Sequence, residues 1–87
     1  MAQHASSKKR IRQEAKRRLR NRYYKKTTRS AIQRLRAIED VDDAKGFLPK
    51  VYSMIDRLAK RGNWHKNKAA NVKRGLAKHV NKLAQAS

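Results

Sequence analysis

From Ser6 to Glu39 the chain contains neither glycine nor proline, and no other feature constrains its fold as strongly. Strong helix formers fill the stretch, chiefly Lys, Arg, Ala, Gln and Leu. Nothing in it stops a helix, so one element on the order of 50 Å is expected at about 1.5 Å per residue. Ser6 or Ser7 can serve as its N-cap. The apolar pattern changes along it. Ile11, Ala15, Leu19 and Tyr23 recur once per turn, a stripe too thin to hold a core. Further on, Tyr24, Thr28, Ala31, Ile32, Leu35 and Ile38 make a broader face. The carboxyl half is therefore expected to pack and the amino half to project, frayed by like-charge repulsion when alone in water.

The remainder reads as two more helices. Acids at Glu39, Asp40, Asp42 and Asp43 mark a turn, with Asp40 or Asp42 as N-cap of a helix over 42–61. Phe47, Val51, Met54 and Leu58 form its stripe, widened by Leu48, Ile55 and Ala59. Pro49 conflicts with a smooth helix. Either the helix kinks near Lys45 to Pro49, or its regular part starts with Pro49 in the first turn. Gly62 is an αL stop, and Trp64 beside it is expected to pack over the junction. Asn67 or His65 caps a third helix over 67–84. Its apolar face is Ala69, Val72, Leu76, Val80 and Leu83, and Gly75 leaves room for close approach by a helix or an RNA backbone. No strand pattern bounded by turn residues is present. The expected architecture is all-α: a three-helix bundle with a long projecting basic N-terminal helix, one domain over 1–87.

Charge narrows the function. The chain has 87 residues with 25 Lys+Arg against 6 Asp+Glu, a net of +19. Residues 1–38 carry 14 bases and one acid, Glu14; residues 39–56 carry five acids and two bases; residues 57–87 carry nine bases and no acid. Such a chain repels itself and needs a dense anionic partner, of which a nucleic-acid backbone is the strongest candidate. There is no cysteine, hence no disulfide or thiolate metal site. His4, His65 and His79 lack metal-ligand spacing, and the acids read as caps and turn residues rather than a catalytic pair. No phosphate loop is present and so small a core offers no water-excluding pocket. No enzyme, cofactor, metal or small-molecule substrate is expected. No apolar run approaches the roughly 20 residues of a membrane span, and no signal-peptide core follows the basic start. The chain reads as intracellular and cytoplasmic, with no surface that suggests a homo-oligomer.

The basic runs wrap around the first helix rather than lying on one side, which suits a rod surrounded by anionic material. Its candidate contacts within Ser6 to Arg29 include Lys8, Lys9, Arg10, Arg12, Lys16, Arg17, Arg18, Arg20, Arg22, Lys25 and Arg29. Lys60 and Arg61 close the second helix. His65, Lys66, Asn67 and Lys68 combine donors with a helix amino terminus that favours phosphate, and Lys73 and Arg74 lie on the basic face of the third helix. Of the tyrosine pair Tyr23 and Tyr24, one is expected to close the core and the other to meet RNA. A histone-like architectural DNA-binding protein is the alternative, but no apolar wedge flanked by minor-groove arginines is evident. A membrane-surface role fails because the amino half of the first helix lacks a bulky apolar face.

Two stretches carry a family resemblance: Ile55-Asp56-Arg57-Leu58-Ala59-Lys60-Arg61-Gly62 and His65-Lys66-Asn67-Lys68-Ala69-Ala70. Ser6, Lys8, Lys9, Arg10, Gln13, Lys16, Arg18, Asn21 and Arg29 agree at the amino end, and Asn81-Lys82-Leu83 near the other. In this order and spacing the chain resembles the bacterial small-subunit ribosomal protein number 20 family over nearly its whole length. Gln3 to Ala5, Tyr23, Tyr24 and Pro49 depart from the family pattern. The resemblance implies a three-helix protein bound directly to 16S rRNA, an early role in assembling the small ribosomal subunit, and a long helix set among RNA helices. It adds Ser6, Gln13 and Asn21 to the candidate RNA contacts.

Overall fold

A computed structural model describes the backbone of residues 2–86 and the side chains of residues 7–86. Three helices follow one another: α1 (Ala2–Ala37), α2 (Val41–Lys60) and α3 (Lys66–Ala86). No strand occurs among the described residues. The particle measures 68 × 21 × 14 Å, with a radius of gyration of 17.9 Å, against about 12 Å for a compact domain of this length. The excess length is α1. Its 36 residues span about 54 Å, and every residue from Ser7 to Arg20 is exposed. Helix α1 starts at Ala2, so Ser6 and Ser7 lie inside the helix rather than at its cap. Ala2 and Ala5 are strong helix formers and nothing among residues 2–5 stops the chain.

Helices α2 and α3 pack most extensively on each other, and α1 joins mainly through α2. The core consists of Leu35 from α1, Val51, Ile55 and Leu58 from α2, and Leu76 and Val80 from α3, with Ala31, Ala44, Trp64 and Ala69 filling between them. Tyr24, Ile32, Phe47, Met54, Val72 and Leu83 cover its edges. Thr28 is the one polar side chain buried with this set among the described residues. Its hydroxyl donates to the Tyr24 carbonyl at 2.8 Å, so burial leaves its proton satisfied.

Local chemistry explains the boundaries. Asp40 caps α2: its carboxylate accepts from the backbone N–H of Asp42 at 2.8 Å and of Asp43 at 3.2 Å. Asp42 and Asp43 then sit in the first turn, where negative charge meets the positive end of the helix dipole. Helix α2 runs without a break through Pro49. Pro49 and Lys45 both lie on the solvent face, where water can reach the carbonyl that loses its donor. At the far end Gly62 takes φ +78°. Its N–H donates to the Ala59 carbonyl at 3.1 Å and that of Asn63 to the Leu58 carbonyl at 2.9 Å, the paired bonds of a Schellman stop. His65 precedes α3 and caps it, with Nδ1 accepting the Asn67 N–H at 3.1 Å. No neighbouring helix lies close against Gly75: a Cβ placed there would meet only the Arg36 guanidinium, at 3.9 Å.

Candidate nucleic-acid interface

The candidate interface has two parts, a rod and a socket. The rod is the exposed stretch of α1. Residues 7–20 hold eight bases and the single acid Glu14. A helix turns about 100° per residue, so Lys8, Lys9, Arg10 and Arg12, and again Lys16, Arg17, Arg18 and Arg20, point around its circumference. Gln13 is exposed among them. The side chain of the candidate Ser6 lies outside those described.

The socket forms where the rod meets the second turn. Asn63 Nδ2 donates to Asn21 Oδ1 at 3.5 Å, tying α1 to the segment between α2 and α3. Beside this bond Arg17, Arg18, Arg22 and Lys25, with Glu14, line an open recess of about 410 Å³. The only acid in it, Glu14, leaves the recess strongly cationic. Asn63 joins the base of the rod to the second turn, and His65, Lys66, Asn67 and Lys68, which follow it in the chain, do not line the recess. Sequence reasoning missed Asn63 as the joint between them, because its partner is 42 residues away.

Other candidates are held by the protein itself. Lys73 Nζ lies 3.0 Å from Asp56 Oδ1 across the α2–α3 seam and 5.1 Å from the Tyr52 ring centre, while the Lys73 carbonyl accepts from the Tyr52 hydroxyl at 3.0 Å. Lys68 Nζ lies 4.6 Å from the Trp64 ring centre, and Trp64 is buried at 6% exposure. The Arg61 guanidinium lies 4.3 Å from the ring centre of Tyr24. Arg61, by hydrogen bonding to the phenol and then by its charge, holds the Tyr24 hydroxyl below its ordinary range, with Arg20 and Arg57 adding to the effect against burial. His65 satisfies the Asn67 amide, so the start of α3 offers an anion fewer free N–H groups than an uncapped end. Arg29, Lys60, Lys66 and Arg74 are exposed. Arg57 was not among the sequence candidates, yet it is exposed one turn before Arg61; the i, i+4 spacing was the available signal.

Among the described residues no helix is long and apolar enough to cross a membrane, and no group of His, Cys, Asp and Glu is placed to hold a metal ion.

A family model described as ribosomal protein S20 matches residues 2–81. Three similar proteins bear the name small ribosomal subunit protein bS20. That of Parabacteroides distasonis is 62% identical, that of Phocaeicola vulgatus 56% and that of Bacteroides fragilis 55%, each over 97% of this chain and 100% of the relative. With a cationic rod, a small helical core and a match across nearly the full length, this chain belongs to the ribosomal protein S20 family.

Proposed function

We propose that the chain is a structural constituent of the small ribosomal subunit that binds 16S rRNA directly and works without catalysis. The observation that carries this reading is the fully exposed rod of residues 7–20 in a member of a ribosomal protein family. Duplex RNA hides its major groove, so proteins meet it through shape, phosphates and 2′-hydroxyls. A straight helix with bases around its circumference neutralises phosphates from several RNA segments at once, which lowers the repulsion opposing their compaction. The bundle fixes the angle at which the rod enters. The contacts are assigned to the rod bases from Lys8 to Arg22, to Lys25 and Arg29 at its base, and to Lys60, Arg61, His65, Lys66, Asn67, Lys68 and Arg74 around the second turn. Lys73 serves first as a clamp on Asp56, and its contribution to RNA is the smallest of the set. A cytoplasmic location follows from the ribosomal role. The architectural DNA reading has no support from relatives named for the ribosome.

The test is a titration of the protein with 16S rRNA over a series of salt concentrations. Affinity should fall with a log–log slope of roughly 0.7 to 0.9 per neutralised phosphate. A flat response, or equal affinity for duplex DNA at moderate salt, contradicts the reading.

A further inference from the structure

Phosphate neutralisation has no use for an exposed aromatic ring at the junction of rod and bundle. Tyr23 is 65% exposed, while its neighbour Tyr24 packs against the core. The two rings meet edge to face, with centroids 5.7 Å apart and planes at 68°. Between α1 and α2 they border a hollow of about 220 Å³ with Met54 and Leu58. That is below the roughly 300 Å³ at which sites for drug-sized ligands begin, and suits one small planar group. The wall is largely apolar. The hydroxyl protons of Thr27 and Thr28, which also line it, are committed to the carbonyls of Tyr23 and Tyr24, each at 2.8 Å. Arg57 and Arg61 complete the lining, and no acid is among it.

An apolar hollow with an open aromatic ring and two guanidinium groups fits a flat group carried on a polyanion. An unpaired nucleobase has that chemistry: its face stacks on an aromatic or guanidinium plane while the flanking phosphates pair with arginine. An aromatic side chain from a protein would fill the space but leave both guanidinium groups without anions. We infer that this hollow receives one unstacked base of the bound RNA, with Tyr23 as the stacking surface and Arg57 and Arg61 holding the adjacent phosphates. This rests on the RNA-binding reading above and adds a site that acts by stacking rather than by charge.

Full-length wild type, Tyr23→Ala and Tyr23→Phe, titrated with deproteinised 16S rRNA over several salt concentrations, test it. Tyr23 is exposed, so helicity by circular dichroism should be the same in all three. Loss of the ring should weaken binding about tenfold, within the range measured for base stacking. The salt slope should not change, because a neutral ring releases no counterion. Tyr23→Phe should stay within about twofold of wild type, since stacking needs only the ring. Wild-type affinity in Tyr23→Ala overturns the proposal. So does an equal loss in Tyr23→Phe, which would assign the contact to the hydroxyl. A defect seen only when other subunit proteins are present overturns it too, in favour of a protein side chain in the hollow. Failure of the wild-type chain to bind 16S rRNA would instead bring down the RNA reading itself.

Discussion

Helix α1 has two halves that obey different rules. Between Thr28 and Leu35 it buries Thr28, Ala31 and Leu35 against α2 and α3. Between Ser7 and Arg20 it buries nothing, and even Ile11 and Leu19 are exposed at 64% and 67%. The backbone is the same; the surroundings differ. One half is stabilised by apolar area removed from water. The other has eight bases in 14 residues and is destabilised by its own charge until anions surround it. On the proposed reading, stability and binding are separated along a single helix, and each should be alterable without the other.

The largest effect should come from the rod. Replacing Lys8, Lys9, Arg10, Arg17 and Arg18 together by Ala should reduce the log–log salt slope of 16S rRNA binding by about 4 and release the protein from the small subunit at lower salt. Thermal unfolding of the bundle should not change. Collapse of the bundle in this variant would mean that the two halves are not separable. Next comes the core. Leu76→Ala or Leu35→Ala removes a fully buried side chain and should cost about 2–5 kcal/mol, measured by urea unfolding. In so small a core that is enough to leave part of the chain unfolded at 37 °C.

Much of this division was legible in the sequence. The absence of glycine and proline up to Glu39, and an apolar stripe that is thin through Tyr23 and broad beyond it, are local signals, and so are helical stripes such as Val51, Leu58, Leu76 and Val80. Gly62 was readable because an αL stop needs only its own conformation. What was hidden depends on partners distant in sequence. Nothing local to Lys73 reveals its ion pair with Asp56, 17 residues away, and nothing near Asn21 points to Asn63. Of two tyrosines adjacent in sequence, periodicity does not say which one meets the core, because that depends on where Met54 of α2 and Arg61 just beyond its end arrive. The caps were ambiguous for the opposite reason: Asp40 and Asp42, like His65 and Asn67, carry equivalent local chemistry, and backbone geometry decides between them.

Smaller effects sharpen the comparison at the joints. Gly62→Ala forces a Cβ into φ +78° and should destabilise the bundle by about 1–2 kcal/mol. Asp40→Ala removes the two cap bonds at α2 and should cost about 1 kcal/mol. Both changes should leave the salt slope of RNA binding as it is. Gly46→Ala should stabilise the protein, by about 0.5–1 kcal/mol, because an added Cβ there meets nothing within 4 Å. Chemical denaturation resolves all three, and a changed salt slope in any of them would show that bundle and rod are coupled.

Amide hydrogen exchange, followed residue by residue in the free protein and on 16S rRNA, separates the two halves most directly. Residues 7–20 should exchange rapidly in the free chain and become protected on RNA, while Leu35, Val51, Ile55 and Leu76 are protected in both states. Equal, strong protection of residues 7–20 with and without RNA would show that the rod needs no phosphates to hold its shape, and would contradict the account.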